Sequence, residues 1–224
     1  MEKFKLFGGS VCVFRPEDEI KTVIYLHGAP AQAEQIWSLL RRPQFALVSV
    51  EADDWNRCLS PWYAPKVFHG GEDFMGGASE QLVLLKERVI PEVEERLGGV
   101  LQQRGIAGYS LAGLFALWAA CETELFDCAA SVSGSLWYEG FVDYLREHDI
   151  YGEKVYLSLG DREKFTKNVR LAAVEECTKD AAEIMRLQGA QVRMEFNSGS
   201  HFQDVAVRLA KGIAFLAEDR HGID

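Results

Sequence analysis

Short, almost continuously apolar runs alternate with helix-length amphipathic patterns along nearly the whole chain. That alternation narrows the possible folds more than any other feature. Residues 11–14, 22–26, 46–50, 106–109, 128–132, 155–159 and 192–196 read as strands. Several of these runs have no polar face, as expected of strands covered by helices on both sides. Between them, residues 33–41, 80–97, 111–122, 171–187 and 205–216 carry apolar side chains at helical spacing. Pro91 falls inside the second of these and is expected to kink it. The pattern predicts an α/β fold: a mostly parallel central sheet with helices on both faces. No repeat, low-complexity tract or linker interrupts it, so one domain over residues 1–224 is expected, long enough to bury a full core.

Composition excludes several function classes. Lys plus Arg number 24 and Asp plus Glu 34, a formal net charge of −10. No basic run offers a grip on nucleic acid or an anionic membrane. The longest apolar run, residues 111–121, falls far short of the roughly 20 residues a membrane-spanning helix needs. The first residues lack the apolar core of a secretory signal. Cys12, Cys58, Cys121, Cys128 and Cys177 are odd in number and form no CxxC pair. Reduced thiols and a cytoplasmic location are expected, with no metal or organic cofactor.

The strongest local signal is Gly108-Tyr109-Ser110-Leu111-Ala112-Gly113, where an expected strand runs directly into an expected helix. This is the context of a nucleophile elbow, which lifts a serine hydroxyl above the end of the sheet. The residues two before and two after the serine press together, so both must be small. Gly108 and Ala112 meet that demand. The amide of Leu111, at the helix start, is available to a developing oxyanion. A serine that merely ends a strand and caps a helix explains the motif alone equally well; the remaining residues shift the balance.

His27-Gly28-Ala29-Pro30 follows the strand at 22–26 and is expected to supply a second oxyanion donor, the amide of Ala29; Pro30 has none. Gly160-Asp161-Arg162-Glu163 follows the strand at 155–159, where a carboxylate that orients a catalytic imidazole belongs. Two carboxylates compete for that role. Glu163 closes the Gly-x-x-acid turn and is preferred; Asp161 is shorter and nearer the strand end. Gly199-Ser200-His201-Phe202 follows the last strand, the position of a general base. His27 belongs to the oxyanion loop, His69 to a long loop, His148 to a charged stretch and His221 to the tail. The order Ser, acid, His, each after its own strand, is far more specific than any one piece. Residues 53–77 form a long irregular stretch rich in aromatics. Trp62 and Phe74 from that stretch, with Trp137, are expected to line a substrate pocket.

The segment from Ala107 to Trp118 resembles the elbow of the esterase-D and enterochelin-esterase-like branch of the α/β hydrolases. Leu59-Ser60-Pro61-Trp62 and Leu157-Ser158-Leu159-Gly160-Asp161-Arg162-Glu163 are similar to a bacterial subgroup of predicted hydrolases. The resemblance extends over nearly the whole chain. It implies an α/β-hydrolase fold without a separate cap domain and a serine esterase mechanism, with Ser110 as nucleophile and His201 as base. Ala112 departs from the commoner glycine. The expected activity is hydrolysis of a small ester or thioester, with no nucleic acid or membrane partner. An acyltransferase or peptidase would use the same residues, and a catalytically silent scaffold serving as a binding module would keep only the fold.

Overall fold

A computed structural model describes residues 1–6, 9–41, 43–98 and 101–218. The strands are β1 (Glu2–Leu6), β2 (Gly9–Phe14), β3 (Thr22–His27), β4 (Phe45–Val50), β5 (Tyr63–Ala64), β6 (Phe74–Met75), β7 (Gln103–Tyr109), β8 (Cys128–Val132), β9 (Lys154–Gly160) and β10 (Gln191–Asn197). The main sheet has 8 strands in the order β1-β2-β4-β3-β7-β8-β9-β10. β1 and β2, and β2 and β4, pair antiparallel. All the other pairs in this sheet are parallel. Alternate residues of β3 enter opposite layers: Val23 and Tyr25 on one side, Ile24 and Leu26 on the other. This two-sided burial is why the strand sequences lack a polar face.

The helices are α1 (Pro30–Leu39), α2 (Trp55–Cys58), α3 (Ala78–Leu84), α4 (Ile90–Leu97), α5 (Leu111–Glu122), α6 (Phe141–Glu147), α7 (Val169–Ala172), α8 (Val174–Leu187) and α9 (Val205–Ala217). The residues of α5 from Leu111 to Cys121 are all buried, and the helix packs on β7 and β8. Among the described residues no helix is long and apolar enough to cross a membrane.

Several elements depart from the sequence expectation. α1 starts earlier than expected, because Pro30 presets the backbone of a first helical position,. Where Pro91 was expected to kink a helix, a π-helical turn (Leu85–Val89) joins α3 to α4. Proline cannot donate to the carbonyl of Glu87 and its ring crowds that group, which disfavours a regular α-helical turn here. The expected helix at 171–187 divides into α7 and α8, with Asn168 accepting from the amides of Arg170 and Leu171. Residues 53–77 are not structureless: they hold α2 and the antiparallel pair β5–β6. β1 was not anticipated. It lies at the sheet edge with Glu2, Lys3 and Lys5 outward, a pattern that discourages further pairing,.

His27 ends β3 almost fully buried, and burial pushes its imidazole down to about 3. Gln81 Nε2 donates to its Nε2 at 3.0 Å, so the ring proton sits on Nδ1. The unfolded chain takes up a proton here below about pH 6.5, and the folded chain does not until about pH 3. Acid therefore draws the equilibrium toward unfolding through that window, by up to ~1.4 kcal/mol per pH unit. A His27→Gln protein should lose less stability between pH 6.5 and 4 than the wild type. Parallel urea titrations check this; curves that keep a constant separation across the window would contradict it.

Candidate active site

Ser110 stands at the junction of β7 and α5 with φ 57° and ψ −120°. Positive φ in a residue with a side chain is strained and recurs at functional turns. Gly108 shows what the turn demands: a Cβ there would lie 2.1 Å from the carbonyl oxygen of Ala112 and 2.7 Å from its Cβ. The methyl of Ala112 is accommodated because position 108 has none.

Three loops at the carboxyl ends of parallel strands meet at this serine. His201, after β10, places Nε2 3.0 Å from Ser110 Oγ. Its Nδ1 lies 2.7 Å from Oε2 of Glu163, after β9. With the carboxylate ionised, Nδ1–H donates to Glu163, which leaves Nε2 to accept from the serine hydroxyl. The Glu163 side chain is 4% exposed and that of His201 30%. Burial pushes the Glu163 carboxyl up, but hydrogen bonds from His201, Ser133 Oγ and the Gly160 amide together hold it below its ordinary value. Ser135 Oγ is 3.3 Å from Ser110 Oγ.

Asp161, the competing acid, points elsewhere. Its Oδ1 accepts from the Gly199 amide at 2.8 Å, which ties down the loop that carries His201. A comparison of two amide variants separates the carboxylates. Glu163→Gln should lose about 10²-fold or more in kcat, because the imidazole loses both its orientation and the charge that stabilises its protonated form. Asp161→Asn should lose far less. Steady-state kinetics at neutral pH give the ranking, and the reverse ranking would transfer the role to Asp161.

The site opens into a cavity of about 430 Å³. Phe74, Trp137, Trp55, Val67, Leu171 and Val174 form much of its apolar wall, and Lys66, Glu72 and Arg162 also line it. Leu111 lines it too, at the first position of α5. Ala29 caps α1 as an exposed residue and is not among the cavity residues. Trp62 requires a correction. It does not reach the cavity; its Nε1 donates to the carbonyl of Glu139, and its ring packs on Tyr138, Phe141 and Tyr144. Trp62 is thus an internal strut for the loop it belongs to. His148 stacks on Tyr144, and His221 lies outside the described residues.

Some residues of the site were not anticipated. Ser133, with φ 47°, donates to Glu163 Oε1 at 2.7 Å, as does the Gly160 amide. The buried Arg208 reaches the same oxygen. Its signal in the sequence was a charged residue on the otherwise apolar stripe Val205, Leu209, Gly212 and Ile213. Phe68, Phe165 and Phe202 stand exposed at the cavity. Among the described residues, no group of His, Cys, Asp and Glu is placed to hold a metal ion.

A family model, Esterase, described as "Putative esterase", matches residues 12–215. Siderophore hydrolase EstB from Aspergillus nidulans is a structural neighbour at 18% identity and TM-score 0.75, with 98% of this chain and 96% of that one covered. An IroE-like serine hydrolase from Shewanella oneidensis gives 17% identity and TM-score 0.77, covering 92% of this chain and 74% of that one. Siderophore hydrolase EstA from Aspergillus nidulans gives 20% identity and TM-score 0.71, covering 93% and 89%. No curated protein matches the chain by sequence.

Proposed function

This chain belongs to the esterase family of the α/β hydrolases, and from that membership we propose that Ser110, His201 and Glu163 hydrolyse a carboxylic ester or thioester through an acyl-enzyme. One observation carries the assignment of roles: the continuous relay from Ser110 Oγ to His201 at 3.0 Å and from His201 to Glu163 at 2.7 Å. Ser110 Oγ attacks the substrate carbonyl as His201 Nε2 removes its proton. The amide of Leu111 stabilises the resulting oxyanion at the start of α5. Ala29 is the second donor in this reading. β3 runs beside β7 with His27 opposite Gly108, which brings the loop after β3 level with the elbow. The Gly28 amide bonds to the carbonyl of Val50, so Ala29 is the next amide in that loop. His201 returns the proton to the departing alcohol or thiol, and water then resolves the acyl-enzyme.

The apolar wall of the cavity favours an uncharged acyl or alcohol group, and its volume suits a small-molecule ester,. The chain works as a single domain in this reading, and its five free cysteines suit the cytoplasm.

A panel of p-nitrophenyl esters and acyl thioesters of graded length tests the activity, with an amide and an acceptor alcohol included to reveal peptidase or transferase turnover. Ester turnover above amide turnover is expected; no turnover of any member would refute the reading. Phe74→Ala should raise KM or change the preferred acyl length while Ser110 still reacts with a fluorophosphonate. Trp62→Ala should keep the wild-type preference and lower Tm by roughly 5 °C or more. The opposite pattern would move the pocket to the Trp62 side.

A further inference from the structure

We infer that Arg208 is a positioning residue for this reaction: its guanidinium fixes Glu163 from behind and braces the His201 loop. The inference rests on the triad reading above and assigns a residue outside it.

Arg208 sits in the first turns of α9, and its side chain is 1% exposed. Its Nη1 lies 3.1 Å from Glu163 Oε1, 3.2 Å from Ser133 Oγ and 3.4 Å from the Tyr109 hydroxyl. Its Nη2 donates to the carbonyl of Ser198 at 3.0 Å. One planar group therefore touches the segment after β8, the acid after β9, the loop after β10, and the residue that precedes Ser110. Tyr109 extends the connection by donating its hydroxyl to the carbonyl of His201. A fork of fixed geometry can hold two such anchors at once, which a lysine ammonium on a flexible stem cannot.

A buried guanidinium is costly unless it is paired, so a pure packing role at this position would be better served by an apolar side chain. The pairing here has a direction. Glu163 presents Oε2 to His201 and Oε1 to Arg208, so the guanidinium holds the far oxygen and thereby sets the rotation at which the near one meets the imidazole.

Other groups that face the imidazole are Tyr109 from β7 and, through the cavity they share, Lys66, Glu72 and Arg162; Asp161 is bonded to the Gly199 amide in the same loop. Arg208 bonds directly to the Glu163 carboxylate, as do Ser133 Oγ and the Gly160 amide.

The test compares kcat and KM at neutral pH for the wild type, Arg208→Met and Arg208→Lys. Tm and the rate of fluorophosphonate labelling at Ser110 are measured alongside. Arg208→Met should lose about 10²-fold in kcat as the acid and the His loop lose their registration, while KM stays within about threefold. Arg208→Lys keeps the charge and gives up one anchor, so kcat should be partly restored, with KM again little changed. If Arg208→Met does not fold, the Lys variant still decides, because wild-type kcat there would overturn the inference. A folded Arg208→Met protein with wild-type kcat, or with its loss confined to KM, would overturn it as well. A wild-type protein whose Ser110 takes no label would instead remove the triad reading beneath it.

Discussion

Ser110→Ala should lower ester turnover by about 10⁴-fold or more and leave the fold intact. The chemical reason is that no other hydroxyl can replace it in line with the imidazole. The neighbouring Ser135 Oγ is 3.3 Å from Ser110 Oγ, and the His201 Nε2 bond goes to Ser110. The structural reason is that, among the described residues, the serine hydroxyl bonds to His201 and Ser135, while the turn itself is held by the backbone, with the Ser110 amide on the carbonyl of Val132. Alanine meets the same positive φ with the same Cβ, so stability should change by no more than about 1 kcal/mol. Fluorophosphonate labelling, mass spectrometry of the labelled peptide and a thermal melt check each part. A variant that retains more than a few per cent of wild-type kcat would refute the nucleophile assignment.

His201→Ala should cost about 10³-fold or more in kcat, because an unassisted serine hydroxyl is a poor nucleophile near neutrality. Only the neutral ring accepts a proton from the serine, and no other described side chain is bonded to the Ser110 hydroxyl in a way that could replace it,. The alternatives among the described histidines are poorly placed. His27 is buried with its basicity pushed down to about 3, His69 is exposed and does not line the cavity, and His148 is stacked on Tyr144. A His201→Ala protein with substantial activity would count against the assignment.

Arg208, Trp62 and the two acids mark the boundary of what local pattern conveys. Trp62 and Phe74 belong to one aromatic stretch, and nothing in their spacing distinguishes a strut from a pocket wall. The distinction arises when α6 and its flanking residues pack on one side of that stretch, with Trp62 turned to Tyr144 and Phe74 turned to Trp137. Asp161 and Glu163 are two residues apart on one loop. Only the loop's path carries one carboxylate to an imidazole and the other to a backbone amide.

By itself the sequence determined the alternation of parallel strands and helices, the elbow at Ser110 and the order in which serine, acid and histidine follow their strands. These features depend on interactions within a few residues: two-sided burial, helical periodicity and the need for small residues about a strained turn. The tertiary structure alone decided which side chains meet. Ser110 and His201 are 91 residues apart in sequence, His201 and Glu163 38, and Glu163 and Arg208 45. Contacts at such separations depend on the order β3-β7-β8-β9-β10 and on the path of each loop leaving it. Local periodicity reports how much of a residue is buried; it carries no information about which distant group lies against it.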